Sequence, residues 1–358
     1  MQFKIKRDLL LKSLTFVQGV IEKKNTLPIL SNVLLKASHG KLQITATDLD
    51  IIFNDEISDI QILKEGVTTT SANVLYDILR KIPSNSELDF HLKSENKLSL
   101  KAQNSDFNLL CLPSTNFPSF DDNFQSSEIE IDNKKFLSLL NKTKISISND
   151  DTRHYLNGIF LHLTKFKDKN YLTGVATDSH RLSSSSIEIN SSSDFSSIIL
   201  PRKTAFQLCN LLAENPNKLV ISLSENKIKF QIGKIILTSK VIDGKFPDYQ
   251  KVIPKDNDKS LLVPLNDFIS SVERVVSVSI DRKASSTLTL ENVGFVDVYA
   301  DIWVSFNGGS SYVEHAQGQL ISNSSPSTFT RNNIPNGSVV RWKYKYSSRL
   351  IGWIWRWC

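Results

Sequence analysis

Residues 174–183 read GVATDSHRLS, a short apolar strand that runs into the polar corner Thr177-Asp178-Ser179-His180-Arg181 and is anchored again at Leu182. Asp, Ser and His side by side invite a catalytic reading. Yet the triplet Ala-Thr-Asp also occurs at Ala46-Thr47-Asp48, again after an apolar strand, and neither Ser nor His follows it there. The aspartate therefore reads as part of a repeated structural corner, and only the second copy carries the His-Arg-Leu elaboration. A nucleophilic triad needs its three groups converging from separate segments, whereas neighbours on one corner point apart. The chain has no GxSxG elbow, no P-loop and no zinc-ligand spacing. The enzyme reading is the weaker one, and no catalytic residue, metal or cofactor is expected.

Working outward, other landmarks recur at domain-sized spacing. A short strand, Gln2-Phe3-Lys4-Ile5, leads into a helical stripe at Leu10, Leu14, Val17 and Ile21, with Asp8 as N-cap or first-turn acid and Lys23-Lys24 at the C-terminal end. The layout returns at Ile131, where Asp132 and Asn133 precede Phe136 and Leu140, and again at Val263, where Asn266 or Asp267 precedes Phe268 and Val272. Leu30-Ser31-Asn32 resembles Leu156-Asn157-Gly158. A second helix around 72–82 has its counterpart around 202–212. Ser94-Glu95-Asn96-Lys97 is identical to Ser224-Glu225-Asn226-Lys227, a hairpin turn, and Phe117-Pro118 matches Phe246-Pro247. Each repeat reads as two amphipathic helices plus several antiparallel strands, helices on one sheet face. The expected fold class is α+β, three tandem two-helix, antiparallel-sheet repeats, with domains at 1–125, 126–257 and 258–358.

The third repeat begins with a helical pattern at 265–279 and a strand pattern at 286–290, then loses the remaining landmarks after about Asn292. All five tryptophans (Trp303, Trp342, Trp353, Trp355 and Trp357) lie in this tail. So sharp a composition break reads as foreign or frame-shifted sequence, and the third repeat is expected to be incomplete or altered.

Composition bounds the rest. Hydrophobic residues at 40% and charged residues at 22% of 358 suit a globular protein of two or three domains. The N-terminus interrupts its apolar residues with Lys4, Lys6, Arg7 and Asp8, unlike a signal peptide, and no apolar run spans a bilayer. Cys111, Cys209 and Cys358, odd in number and far apart, suggest neither disulfides nor a metal cluster, and a cytoplasmic location is expected. The net charge of +6 is modest, so any nucleic-acid contact must come from local placement of charge.

The segment through Thr26-Leu27-Pro28-Ile29-Leu30-Ser31-Asn32 resembles the β sliding clamp of bacterial DNA polymerase III. So do Tyr155-Leu156-Asn157-Gly158, residues 176–182, Leu200-Pro201-Arg202-Lys203 and residues 244–249, in the family's order and over about residues 1–291. The resemblance implies the DNA clamp fold and a non-catalytic processivity factor. Two chains would join head to tail as a homodimer ring around duplex DNA, helices lining the hole and the edge strand near 106–110 at the closure. It implies DNA contacts at Lys24, Tyr155, Arg202, Lys203 and Arg282, with Asn73 standing where the family has an Arg. Lys134, Lys135, Lys142 and Lys144 add charge along the middle helix.

A second implied site is a cleft for a short peptide motif carrying a Gln and bulky apolar residues. Through it the polymerase III catalytic subunit, the clamp loader, and other polymerases and repair proteins would bind. Its residues carry over to Leu156, Thr177, Ser179, His180, Arg181, Leu182, Pro247, Lys251 and Val252. Ser179 stands where the family has Gly and Lys251 where it has Arg. Met1 is the only methionine, so the family's C-terminal Met-Pro-Met-Arg segment is missing from the cleft. The alternative is an altered clamp remnant, or decoy, that binds polymerase peptides without closing a ring.

Overall fold

The chain starts with β1 (Gln2–Lys6) turning directly into α1 (Arg7–Val17), and the alternation of Phe3 and Ile5 with polar neighbours explains the strand. Both are buried, as is the stripe Leu10, Leu14, Val17 and Ile21, although Ile21 lies in the turn beyond the helix. Asp8 is a first-turn acid rather than the cap. Its carboxylate accepts from the backbone N–H of Asn85 at 2.6 Å and from Arg7 Nη1 at 2.6 Å. The computed structural model describes residues 1–22, 27–119, 124, 128–189, 195–215, 218–253, 264–279, 298–305, 313–321, 339–342 and 353–354. The Lys23-Lys24 pair, the strand pattern at 286–290 and the expected domain boundaries at 125/126 and 257/258 fall outside them.

The first repeat continues with β2 (Asn32–Ser38), β3 (Lys41–Thr47), β4 (Ile51–Ile57), β5 (Ile60–Lys64), β6 (Gly66–Ser71), α2 (Ala72–Lys81), β7 (Glu87–Ser94), β8 (Lys97–Ala102) and β9 (Ser105–Leu110). The second runs β10 (Glu128–Ile131), α3 (Asn133–Thr143), β11 (Gly158–Phe166), β12 (Lys169–Thr177), β13 (Leu182–Ile189), β14 (Ile198–Pro201), α4 (Arg202–Glu214), β15 (Leu219–Leu223), β16 (Lys227–Ile232) and β17 (Ile235–Lys240). Apart from β5, which has no counterpart among the described residues, the two repeats match element for element. Details match too. Asp132 caps α3 by accepting from Lys135 N–H at 2.9 Å. After each hairpin the Asn carbonyl takes the same bond: Cys111 N–H donates to Asn96 at 3.0 Å, and Val241 N–H to Asn226 at 3.1 Å.

The corner that opened the sequence reading is also duplicated in backbone shape. Leu49 has φ +80 and Ser179 φ +74, both left-handed. That conformation favours glycine, the residue the family resemblance gives where Ser179 stands. In the first copy Asp48 Oδ1 accepts from the N–H of Asp50 (2.9 Å) and of Ile51 (2.7 Å), and Thr47 Oγ1 donates to the Ile51 carbonyl at 2.8 Å. An Asp that closes its own turn is a structural residue first.

The sheets join the repeats. One continuous antiparallel sheet runs β10-β15-β16-β17-β4-β3-β2-β6, with β17 of the second repeat paired to β4 of the first through Leu237 opposite Phe53 and Thr238 opposite Ile52. The first repeat's other sheet runs β5-β1-β7-β8-β9, and the second repeat's runs β14-β11-β12-β13. Helices α1 and α2 pack together, as do α3 and α4, with their apolar faces in a core that includes Phe3 stacked on Phe90 and Phe136 against Phe230. Burying each such side chain contributes about 1.5–3 kcal/mol.

The chain divides into two compact units, one of residues 1–178 and 183–246, the other of residues 179–182 and 247–358. Within the second lie α5 (Leu265–Ser279) and the strands β18 (Val298–Ser305), β19 (Val313–Ile321), β20 (Val339–Trp342) and β21 (Trp353–Ile354). Central β18 pairs antiparallel with β19 on one side and β20 on the other. Asn266 and Asp267 fall inside the first turn of α5 rather than ahead of it, because the helix begins at Leu265. Among the described residues no helix follows Ser279, and the tail's structure is strand.

Candidate nucleic-acid interface and partner-peptide corner

The most basic helix surface is that of α3. Helix α3 carries Lys134, Lys135 and Lys142, all exposed, and no acidic residue. Lys144 follows it in a single 3-10 turn. Helix α4 begins Arg202-Lys203, two cations at the end where the helix dipole is itself positive, so both need partners that hold them there.

Those partners differ sharply. Arg202 donates from its backbone N–H to the Asn157 carbonyl at 3.0 Å and from Nη1 to Asn149 Oδ1, and its guanidinium lies 5.2 Å from the Phe206 ring centre. None of these groups is anionic. Lys203 instead points across to the first repeat. Its ammonium donates to the Val20 carbonyl at 2.7 Å, to Glu22 Oε1 at 3.2 Å and to Asp48 Oδ2 at 2.5 Å. The three protons of Lys203 thus meet three acceptors, two of them carboxylates, and Asp48 is only 7% exposed. One turn on, Gln207 Nε2 donates to the Phe16 carbonyl at 2.6 Å. Lys203 and Gln207 are i, i+4 on α4 and bond carbonyls of the last turn of α1 and of the turn that follows it. The sequence expectation for Lys203 is a phosphate contact; the structure adds an inter-repeat socket at Asp48, a residue the repeated Ala-Thr-Asp triplet marks as a structural corner without naming its partner.

Tyr155 is half-buried in the turn 151–156, its ring edge-on to His154 at 5.8 Å. The bond from Arg202 N–H to Asn157 sets that turn against the start of α4. Gly244, at φ +146, passes so close that a Cβ there would sit 3.2 Å from Tyr155 Cβ, so the Gly-Lys-Phe-Pro segment needs its glycine. Of the expected DNA contacts, Tyr155 and Arg202 share one neighbourhood and Lys203 faces α1. Lys24 and Arg282 lie outside the described residues. Asn73 is half-buried near the start of α2.

The expected peptide residues divide between the compact units. Leu156 (2% exposed) and Thr177 belong to the first. Ser179, His180, Arg181 and Leu182 fall in the second with Pro247, Lys251 and Val252. Ser179 and His180 are exposed, Arg181 is intermediate and Leu182 is buried. Val252 is 68% exposed, an apolar side chain at the surface of a 3-10 turn, and Lys251 pairs with Asp248 at 3.1 Å. Burial pushes the Tyr249 hydroxyl pKa up, with the Asp248 charge adding to it and a bond from Gln250 opposing.

Repeats of two helices on antiparallel strands, joined sheet edge to sheet edge, define the clamp fold. Residues 1–121 match the family model for the DNA polymerase III beta subunit N-terminal domain, and residues 130–248 the model for its central domain. The beta sliding clamp of Caulobacter vibrioides (strain NA1000 / CB15N) is 38% identical over 293 residues, 81% of this chain and 78% of that protein. That of Escherichia coli (strain K12) is 36% identical over 261 residues, 73% of this chain and 70% of that one. Among solved structures, a sliding clamp from Bartonella birtlesii bound to griselimycin superposes with TM-score 0.81 at 33% identity, covering 100% of this chain and 99% of that one. The Caulobacter crescentus clamp superposes at TM-score 0.76 and 33% identity over 95% of this chain and 87% of that one. The chain belongs to the beta sliding clamp family, the beta subunit of bacterial DNA polymerase III.

Proposed function

We propose that this chain acts as a DNA sliding clamp, a non-catalytic, ring-forming processivity factor that tethers the replicative polymerase to duplex DNA. The observation that carries this reading is the edge-to-edge joint between repeats. Strand β17 occupies in the second repeat the place of β9 in the first, and β17 pairs with β4. The equivalent edge of β9 has no strand partner among the described residues, and Leu110 on it is 83% exposed. Beside it, Val74 and Ile78 of α2 and Phe107 of β9 line a groove flanked by Arg80 and Lys81. Such an edge invites strand pairing, and a heterologous, head-to-tail contact that closes makes a ring. In this reading β9 receives the far end of a second copy, and the chain carries three clamp domains at 1–125, 126–257 and 258–358.

The helix faces then line the hole. Weak phosphate contacts from Arg202, Tyr155, Lys24 and Arg282, with the field of Lys134, Lys135 and Lys142, attract DNA without reading sequence. Lys203 contributes through the joint it holds rather than as a free phosphate ligand. The corner of Ser179, His180, Arg181 and Leu182, in the unit that also holds Pro247, Lys251 and Val252, is the site for partner peptides from the polymerase, the clamp loader and repair proteins. Sedimentation velocity tests the ring directly: the chain should run as a dimer and Leu110→Asp as a monomer of unchanged fold. A parent chain that stays monomeric at micromolar concentration would refute ring closure.

A further inference from the structure

Phe206 is an aromatic side chain left 39% exposed on α4, on the helix face expected to meet DNA. Arg202 stands one turn before it, and its guanidinium lies 5.2 Å from the ring centre. Lys144, from the end of α3, brings its ammonium to 5.3 Å from the same centre. The ring therefore ties two cations from two different helices to one point. Among the described residues neither cation has a carboxylate partner: Arg202 is otherwise held by the neutral amide of Asn149, and Lys144 forms no ion pair. The contrast with Lys203, the very next residue, is sharp, since its charge is matched by Asp48 and Glu22.

A carboxylate fixes a cation by neutralising it. An aromatic face fixes a cation while leaving its charge and its outward N–H groups available. We propose that Phe206 is a positioning residue for DNA, holding Arg202 and Lys144 as a paired cradle for backbone phosphates of duplex DNA. The proposal rests on the sliding-clamp reading above. The cradle reads no base, because both cations offer only charge and donors to phosphate oxygens. It also suits a surface that must hold DNA loosely: two cations kept in place by a ring present a ready site without a deep pocket.

The test is association of the full chain with a short fluorescein-labelled duplex, followed by anisotropy across a salt series. Phe206→Leu keeps apolar bulk but removes the π face, and should weaken binding about two- to fivefold at low salt. Phe206→Tyr should restore it. In the Arg202→Ala, Lys144→Ala background the salt slope should fall by about 2, and adding Phe206→Leu should change nothing further. The thermal midpoint, recorded for each variant, separates misfolding from lost positioning. Equal binding by Phe206→Leu and the parent, or a similar loss in the double-alanine background, overturns the cradle and leaves the clamp reading intact. A parent chain that binds no duplex at low salt overturns both.

Discussion

At Asp48 a single carboxylate serves two tasks: Oδ1 closes its own turn onto the N–H groups of Asp50 and Ile51, and Oδ2 takes the Lys203 ammonium from the other repeat. Because Asp48 is 7% exposed, removing Lys203 leaves a nearly buried charge with no counter-ion, which is dearer than losing an exposed ion pair. Lys203 itself is 35% exposed, so solvent screening trims the effect. Lys203→Ala should cost about 1–2 kcal/mol in urea unfolding. Adding Asp48→Asn, which keeps the turn acceptor but removes the orphaned charge, should return at least half of it. If the double variant is no more stable than Lys203→Ala, Lys203 and Asp48 are not an energetically coupled pair. Leu49 and Ser179, at φ +80 and +74, show the same scale at work in the backbone: each accepts a left-handed strain of about 1 kcal/mol to keep the corner's shape.

At the scale of elements, α1 is tied to the turn before β7 by Asp8. The Asn85 N–H and then the Arg7 side chain hold its carboxyl pKa below the ordinary value of 3.8. A pKa depressed in the folded state contributes stability that is present above the unfolded value and is lost as pH falls through the folded one. The stability difference between the parent and Asp8→Asn should therefore stay constant above about pH 5 and shrink below 4. A gap that persists at the acid end would place the effect elsewhere. Elements of this kind were legible in the chain because their causes are local: apolar stripes at 3.6-residue spacing marked α1 and α3, and two identical Ser-Glu-Asn-Lys turns marked the hairpins. The pattern at 265–279 likewise coincides with α5. What escaped was the partner of each charged side chain. Nothing near Lys203 in sequence points to Asp48, 155 residues away, and nothing near Phe206 points to Lys144. The strands β18, β19 and β20 also lack the landmarks of the earlier repeats, so the sequence offered no register for them.

At the scale of the molecule, the first two repeats share one sheet through β17 and β4, reinforced by Lys240 bonding Asp50 at 2.9 Å and by Lys234 reaching Ser58. A joint made of backbone hydrogen bonds is rigid, and repeating it around a closed ring would fix a hole of constant width. Such a ring holds DNA by topology, so its grip should depend on the circle being closed rather than on affinity. The most direct test loads the labelled chain onto nicked circular DNA with a clamp loader and then cuts the circle once. Protein should stay on the intact circle through a high-salt wash and leave within minutes of linearisation. Protein washed off the closed circle as readily as off the linear form would contradict ring closure.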